Sequence, residues 1–379
     1  MTRMIMLLVV CIASFFLSGC VETKYLEKLG LITAVGYDQD EDEKITGTLV
    51  LYQFNPAMED VEKVLTSTAK TSKGIRLSQN LETDHKLVSG QLRIAIYGRD
   101  LASKGIAHLV DTLERDSSIG NMVYLTIADT TAEEILTYQM EETPSNRGTY
   151  LYNLVRQNVE AEMLVSPTLQ EFITDYGSVG KDPILPLLTA KDGKVGVSGM
   201  ALFIRDKFIK EIKKDKIFFI RSLIEDYDLG SVEVELPIEP FDPYLSRLHE
   251  GQENDKVYIM IDSIKSSHTI TAKKSTKPSF KVQLDIQSRL LEMSEEMNLS
   301  EPKALRLLEN EIGSYIEKNI KDMILMLQEE GTDPIGFGME YKSIRGHQNV
   351  SRNEWDKLYK QATFDVEVHN NIIRTGVID

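Results

Sequence analysis

Apolar positions change period several times along the chain, and the changes mark its elements. Residues 31–37 and 45–54 are rich in β-branched and aromatic side chains. They flank the acidic run Asp38-Gln39-Asp40-Glu41-Asp42-Glu43, which predicts a hairpin. Residues 55–84 are polar and partly helical, with Ile75, Ser78 and Leu81 at helical spacing. A mostly buried strand follows at 91–98, and then a helix at 100–115 with Leu101, Leu109 and Leu113 on one face. A strand at 122–128 leads into a short helix at 130–140, where Glu133 and Glu134 sit near the positive end. Residues 143–148 break the pattern, and 150–163 are helical again. Ser166-Pro167 caps and opens a helix over 168–176. Gly177, Gly180, Pro183 and Pro186 then crowd together as the first candidate domain edge.

The second half is more regular. Residues 195–203 read as a strand, and 209–224 as a helix-or-strand segment whose Lys210, Lys213, Lys214 and Lys216 form a solvated face. Val257, Ile259 and Ile261 alternate with polar residues, as do Phe280, Val282, Leu284 and Ile286, so these are antiparallel strands with one wet face. Ser300-Glu301-Pro302 opens a long helix in which Leu305, Leu308, Ile312, Ile316, Ile320, Met323 and Leu327 step by three or four, and Gly331 ends it. Phe364, Val366 and Val368 form a last strand. The expected fold class is α+β and multi-domain, with mixed and antiparallel sheets, packed helices, and a C-terminal domain in which the long helix crosses an antiparallel sheet.

The chain has 379 residues with 43 basic and 59 acidic side chains, a formal charge of −16. That balance argues against a nucleic-acid partner, because tracking phosphates needs clustered Lys and Arg. Both cysteines, Cys11 and Cys20, lie at the start, so the rest of the chain can form neither an internal disulfide nor a Cys-based zinc site. The histidines are His85, His108, His249, His268, His347 and His369, and no two sit at metal-ligand spacing. Asp38, Asp40 and Asp42 resemble the opening of a calcium loop, but Glu43 stands where such a loop needs Gly and Leu49 where it needs Glu, which leaves a solvated turn. Gly177 to Asp182 lacks the spacing of a phosphate loop, and Gly196-Val197-Ser198-Gly199-Met200 lacks the final glycine of a nucleophile elbow. His85 reads as a hydrogen-bonded structural histidine rather than a general base, and Trp355 as core packing rather than a partner contact. No catalytic, metal or cofactor constellation emerges.

The first twenty residues have the layout of a secretory signal: Arg3, an apolar run from Met4 to Leu17, then Leu17-Ser18-Gly19-Cys20. The run is shorter than the roughly 20 residues a spanning helix needs. Small residues before a cysteine match a bacterial lipobox, with cleavage after Gly19 and diacylglycerol received by the Cys20 thiol. Two or three acyl chains on Cys20 would anchor the mature chain stably to membrane lipid. The expected organisation is a signal peptide at 1–19, a lipid-anchored tether at 20–30, an N-terminal α+β region at 31–190, read as two subdomains, and a C-terminal α+β domain at 195–379.

Several blocks, taken in order, resemble the Ger(x)C family of spore germination lipoproteins, the C subunits of nutrient germinant receptors. They begin with the lipobox ending in Cys20, Ala34-Val35-Gly36-Tyr37-Asp38, and His85. Next comes the stretch 94–106, carrying Gly98 and Gly105, and then Leu113-Glu114-Arg115-Asp116. The stretch 199–208, opened by Gly199, is followed by Asp333-Pro334-Ile335-Gly336-Phe337-Gly338, Trp355, and Arg374-Thr375-Gly376. Val21 and Tyr37 depart from the pattern, where the family often has tryptophan and an aliphatic residue. The resemblance implies three α+β domains on a lipid anchor at the outer face of the inner spore membrane, beside integral-membrane A and B subunits. It also implies no enzymatic activity and no cofactor, and the matched residues suit structural roles. The alternative is a solute-binding lipoprotein of an importer, a class with two similar α/β lobes around a cleft.

Overall fold

The computed structural model describes residues 26–53, 61–142, 144–245, 255–273, 277–345 and 350–375. Cys20, Val21 and Gly376, with the signal segment and the start of the tether, lie outside the described residues.

Two sheets organise the chain. The first is built from β1 (Leu29–Gln39), β2 (Ile45–Gln53), β3 (Val61–Ala69), α1 (Ser72–Leu81), β4 (Lys86–Val88), β5 (Ile94–Gly98), α2 (Arg99–Lys104) and α3 (Ala107–Glu114). It continues through β6 (Tyr124–Ala128), α4 (Ala132–Thr137), α5 (Arg147–Glu160), α6 (Leu169–Gly177), β7 (Ile184–Lys191), β8 (Lys194–Ile204) and β9 (Lys207–Lys213). Its strand order is β3-β2-β1-β5-β6-β7-β8-β9, with β4 also paired to β1. β1, β5, β6 and β7 run parallel, and an antiparallel pair closes each end. Short α7 (Ile217–Arg221) leads to β10 (Ser231–Pro237), β11 (Lys256–Lys273), β12 (Ser279–Met293), α8 (Pro302–Glu330), α9 (Phe337–Arg345), α10 (Arg352–Tyr359) and β13 (Thr363–Thr375). The second sheet has the order β10-β11-β12-β13.

The α+β class and the long helix are as the periodicity expects, and several details differ for physical reasons. Val61–Ala69 is a strand inside the segment read as polar and partly helical. It is an edge strand, and its sequence VEKVLTSTA does not alternate cleanly enough to announce itself. The helix that follows buries Ser72, Ile75 and Gln79 and leaves Leu77 and Leu81 outside, 66% and 83% exposed. The single helix expected at 100–115 is two, because Gly105 takes φ 117° and stops the first after Lys104. Thr168, rather than Ser166-Pro167, is the N-cap of α6, in a capping box with Glu171. Asp38 is not part of a solvated turn but lies buried in β1. β13 pairs parallel with β12, so the second sheet is mixed, its chain returning through α8, α9 and α10. The boundary expected between 190 and 195 falls in the β7–β8 hairpin, and the first sheet runs on to Lys213.

The nine-stranded sheet carries apolar cores on both faces. One holds Ile32, Val35, Tyr37, Ala95, Tyr97, Leu125 and Phe203 under α1, α3 and α6. The other, with Ala34, Ile94, Ile96, Leu136 and Leu151, is continuous with the core of the second sheet. α8 packs against both edge strands of that sheet, β10 and β13, and buries Leu308, Ile312, Ile316, Ile320 and Leu327. Gly331, with φ 76°, ends it in the left-handed region and donates its N–H back to the Leu327 and Gln328 carbonyls. Truncating Ile316 to Ala should cost about 2–5 kcal/mol in urea unfolding of the full chain. Leu325, 52% exposed on the same helix, should tolerate the same change within about 0.5 kcal/mol.

Candidate functional site

The family-matched polar residues gather where elements from distant parts of the chain must meet. The largest such place joins the two sheets. After Gly331, Thr332 donates its hydroxyl to the Phe203 carbonyl in β8 at 2.5 Å. Asp333, fully buried, then accepts at Oδ1 from the Gly336 and Phe337 amides (2.9 and 3.0 Å) and at Oδ2 from the Gly338 amide (2.8 Å). One carboxylate thus closes the turn and caps α9, satisfying amides that otherwise lack partners. Gly336 adopts φ 91°, which lets the turn wrap around that carboxylate.

A second aspartate faces it from the first half. Asp182 accepts the Asp333 amide at Oδ2 (3.0 Å) and the Arg205 amide at Oδ1 (2.8 Å), and its own amide donates to the Asp333 carbonyl (2.9 Å). Arg352 at the start of α10 donates to the Ser178 and Lys181 carbonyls at 2.6 and 2.7 Å, with its other nitrogen 3.7 Å from Asp182. The segment 178–183, within the 177–186 stretch expected to be a domain edge, is therefore strapped to α9 and α10. Gly338 and Gly180 meet backbone to backbone, and a Cβ on Gly338 would also come within 2.6 Å of the Trp355 ring. Trp355 packs with Phe280, Tyr341 and Tyr359, ring centroids 5.4–6.3 Å apart. Its Nε1 has no hydrogen-bond partner among the described residues, so packing alone holds it.

Burial dominates the electrostatics of the joint. It pushes the Asp333 carboxyl up to about 7, against the three amides that favour the anion, and the neighbouring Asp182 adds to the rise. Asp182 is raised as well, again by burial, with the Arg205 and Asp333 amides and Arg352 opposing.

A smaller seat holds α4 on the first sheet. Asp38 accepts from the Ala132 amide at 2.7 Å and the Glu133 amide at 2.9 Å, and burial raises its pKa against those bonds. A Cβ on Gly98 would collide with Asp38 Oδ1, and one on Gly36 would press on Leu136 and Ala132 (2.8 and 2.9 Å). Gly36, Asp38 and Gly98 are thus one device built from two neighbouring strands. Gly105 lies against Asp206, whose carboxylate accepts the Ala107 amide at 3.1 Å at the start of α3.

The remaining matched residues are more local. Gly199 allows β8 to approach the Ile212 carbonyl of β9. Arg115 pairs with Asp111 one turn back at 2.8 Å, on the surface. Asp116 accepts from Lys73 at 2.8 Å and Ser118 at 2.7 Å, and these bonds lower it to about 2. His85 lies half-buried with Nδ1 2.7 Å from Asp84 Oδ1, and that bond holds Asp84 below the ordinary carboxylate range. Asp182 and Arg352 fall outside the matched blocks, and Arg205 and Asp206 lie within the matched stretch 199–208 with no sign there of what they bind. Their partners are up to 174 residues away, and each looks like an ordinary surface charge. Among the described residues no group of three or more His, Cys, Asp or Glu side chains is placed to hold a metal ion.

Two outcomes test these seats. Gly98→Ala should lose about 1–3 kcal/mol in urea unfolding through overpacking against Asp38, whereas Gly120→Ala, with open space around it, should be neutral. Asp333→Asn should lose about 1–3 kcal/mol by facing an N–H to the Gly338 amide. Because the folded pKa of Asp333 is raised from 3.8 to about 7, its contribution is fully present below 3.8 and lost as pH rises through about 7. Unfolding free energies between pH 5 and 8 should therefore fall less steeply with pH in Asp333→Asn than in the wild type.

Comparison with known proteins places both halves of the chain in one family. Residues 22–190 match the family described as "Spore germination protein N-terminal domain", and residues 198–376 match "Spore germination B3/ GerAC like, C-terminal". The chain is 26% identical over 372 residues to spore germination protein GerQC of Bacillus cereus, covering 97% of this chain and 98% of that one. It is 22% identical over 418 residues to spore germination protein KC of Bacillus subtilis (strain 168), covering 100% and 97%. The crystal structure of the GerBC protein shares the fold, with a TM-score of 0.51 and 16% identity over 89% of this chain and 96% of that one. With both halves matched in order over almost its whole length, the chain belongs to the Ger(x)C family of spore germination proteins.

Proposed function

We propose that this chain is the C subunit of a spore nutrient germinant receptor, held by an acylated Cys20 at the outer surface of the inner spore membrane. It acts there without catalysis, by docking on integral-membrane A and B subunits. The observation that carries this reading is the match to GerQC over 97% of this chain and 98% of that one.

The physical layout supports it. No helix among the described residues is long and apolar enough to cross a membrane. The described chain begins at Leu26, six residues after Cys20, a distance of at most about 20 Å when extended. A lipid on Cys20 would hold the first sheet close to the bilayer. Confinement of partners to one surface raises their effective concentration, so modest contacts suffice for assembly. Tight carboxylate caps and glycine contacts at the joint suit a body that presents fixed surfaces to neighbours.

Replacing Cys20 with Ala tests the reading. The variant should take up no labelled palmitate, should fold with an unchanged thermal midpoint, and should leave spores defective in nutrient germination. Normal germination, with unlipidated protein present at its usual level, would rule the proposal out.

A further inference from the structure

Between α1 and α3, over one face of the first sheet, lies a cavity of about 290 Å³. That is near the lower limit of about 300 Å³ for small-molecule sites, so a compact ligand fits and a nucleotide or peptide does not. Its floor is apolar, formed by Val35 and Leu49 of the sheet with Leu92 beside them. Its charged lining is Lys73, Arg76 and Asp116. Lys73 and Asp116 neutralise each other at 2.8 Å. The Arg76 guanidinium is left over, with no hydrogen bond or ion pair among the described residues.

Arg76 is not a freely solvated surface arginine. It is half-buried on α1, and burial lowers its pKa, with the nearest compensation coming from Tyr37 and Asp116. Tyr37 lines the same cavity, and burial pushes it up to about 12, so it stays a neutral phenol. One turn further along α1, Gln79 spends its amide N–H groups on the Gly47 and Leu65 carbonyls at 2.8 and 3.2 Å. Its Oε1 remains a buried acceptor with no donor among the described residues. A half-buried guanidinium without a protein acceptor is open to a planar anion offering two oxygens, which its fork geometry matches. The charged lining sums to one positive charge, locally favourable to an anion in a chain whose net charge is −16.

We infer that this cavity is a binding site for a small organic carboxylate with a short aliphatic body, the carboxylate on Arg76 and the body over Val35, Leu49 and Leu92. The site is separate from the joint between the sheets and goes beyond the docking role proposed above. Its test is read on the isolated full-length protein in detergent, independently of any germination phenotype.

Isovalerate and its uncharged amide, isovaleramide, serve as probes in isothermal titration calorimetry at low salt. Isovalerate should bind saturably at one site per chain, and isovaleramide at least about tenfold more weakly. Arg76→Gln should weaken isovalerate by at least about tenfold with an unchanged thermal midpoint. Arg76→Lys, which keeps the charge but not the fork, should fall between and serves as the reading if the Gln variant does not fold. The inference is overturned if wild-type protein shows no saturable isovalerate binding up to about 10 mM. Equal binding of acid and amide, or binding unaffected by the Arg76 substitutions, overturns it equally.

Discussion

The buried meeting of Asp333 with Asp182 decides how the two halves of this protein are held. Asp333 could have been satisfied locally, by the three amides that open α9. The coupling comes from its backbone, whose N–H and C=O are both used by Asp182. Each group has a partner, so burying two carboxyl side chains at one point is tolerable, and removing either would strand donors in an apolar surround. The flanking contacts repeat the logic: Thr332 is tied to β8, Arg352 to the 178–183 segment, and Gly180 to Gly338. A long continuous core alone would leave the sheets free to slide, whereas directional bonds fix their register.

The same economy recurs at α4, where a strand aspartate caps a helix that packs on the strands beside it. The geometry works only if the neighbouring positions lack a Cβ, and Gly36 and Gly98 supply that space. Glycines that would weaken a strand by themselves are here the condition for close helix-on-sheet packing. In this chain Gly36, Asp38 and Gly98 thus sit at a contact between elements.

Both sheets are covered on their apolar faces. The first sheet has helices over both faces and the second has α8 across it, so most polar side chains face outward while the inner charges are capped. The cavity under α1 is different in character, because its Arg76 makes no hydrogen bond or ion pair among the described residues. Asp38, Asp182 and Asp333 by contrast each accept backbone amides.

Much of the architecture was legible because periodicity reports burial directly. Alternation in β12 and the three-four stepping of α8 follow from one wet and one dry face, and Gly331 ends the helix by local stereochemistry. The matched Gly36, Asp38, Gly98 and Asp333 could be named from the chain, but not why they matter. An edge strand such as β3 has too little burial contrast to show, and α1 turns Leu81 outward against the expectation from spacing. The parallel pairing of β13, the partnership of Asp182 with Asp333 across 151 residues, and the isolation of Arg76 depend on which distant segments come together. Local sequence fixes what a segment can become through its own backbone and its own pattern of burial. Which buried charge finds a partner, and which does not, is settled only when the chain closes on itself.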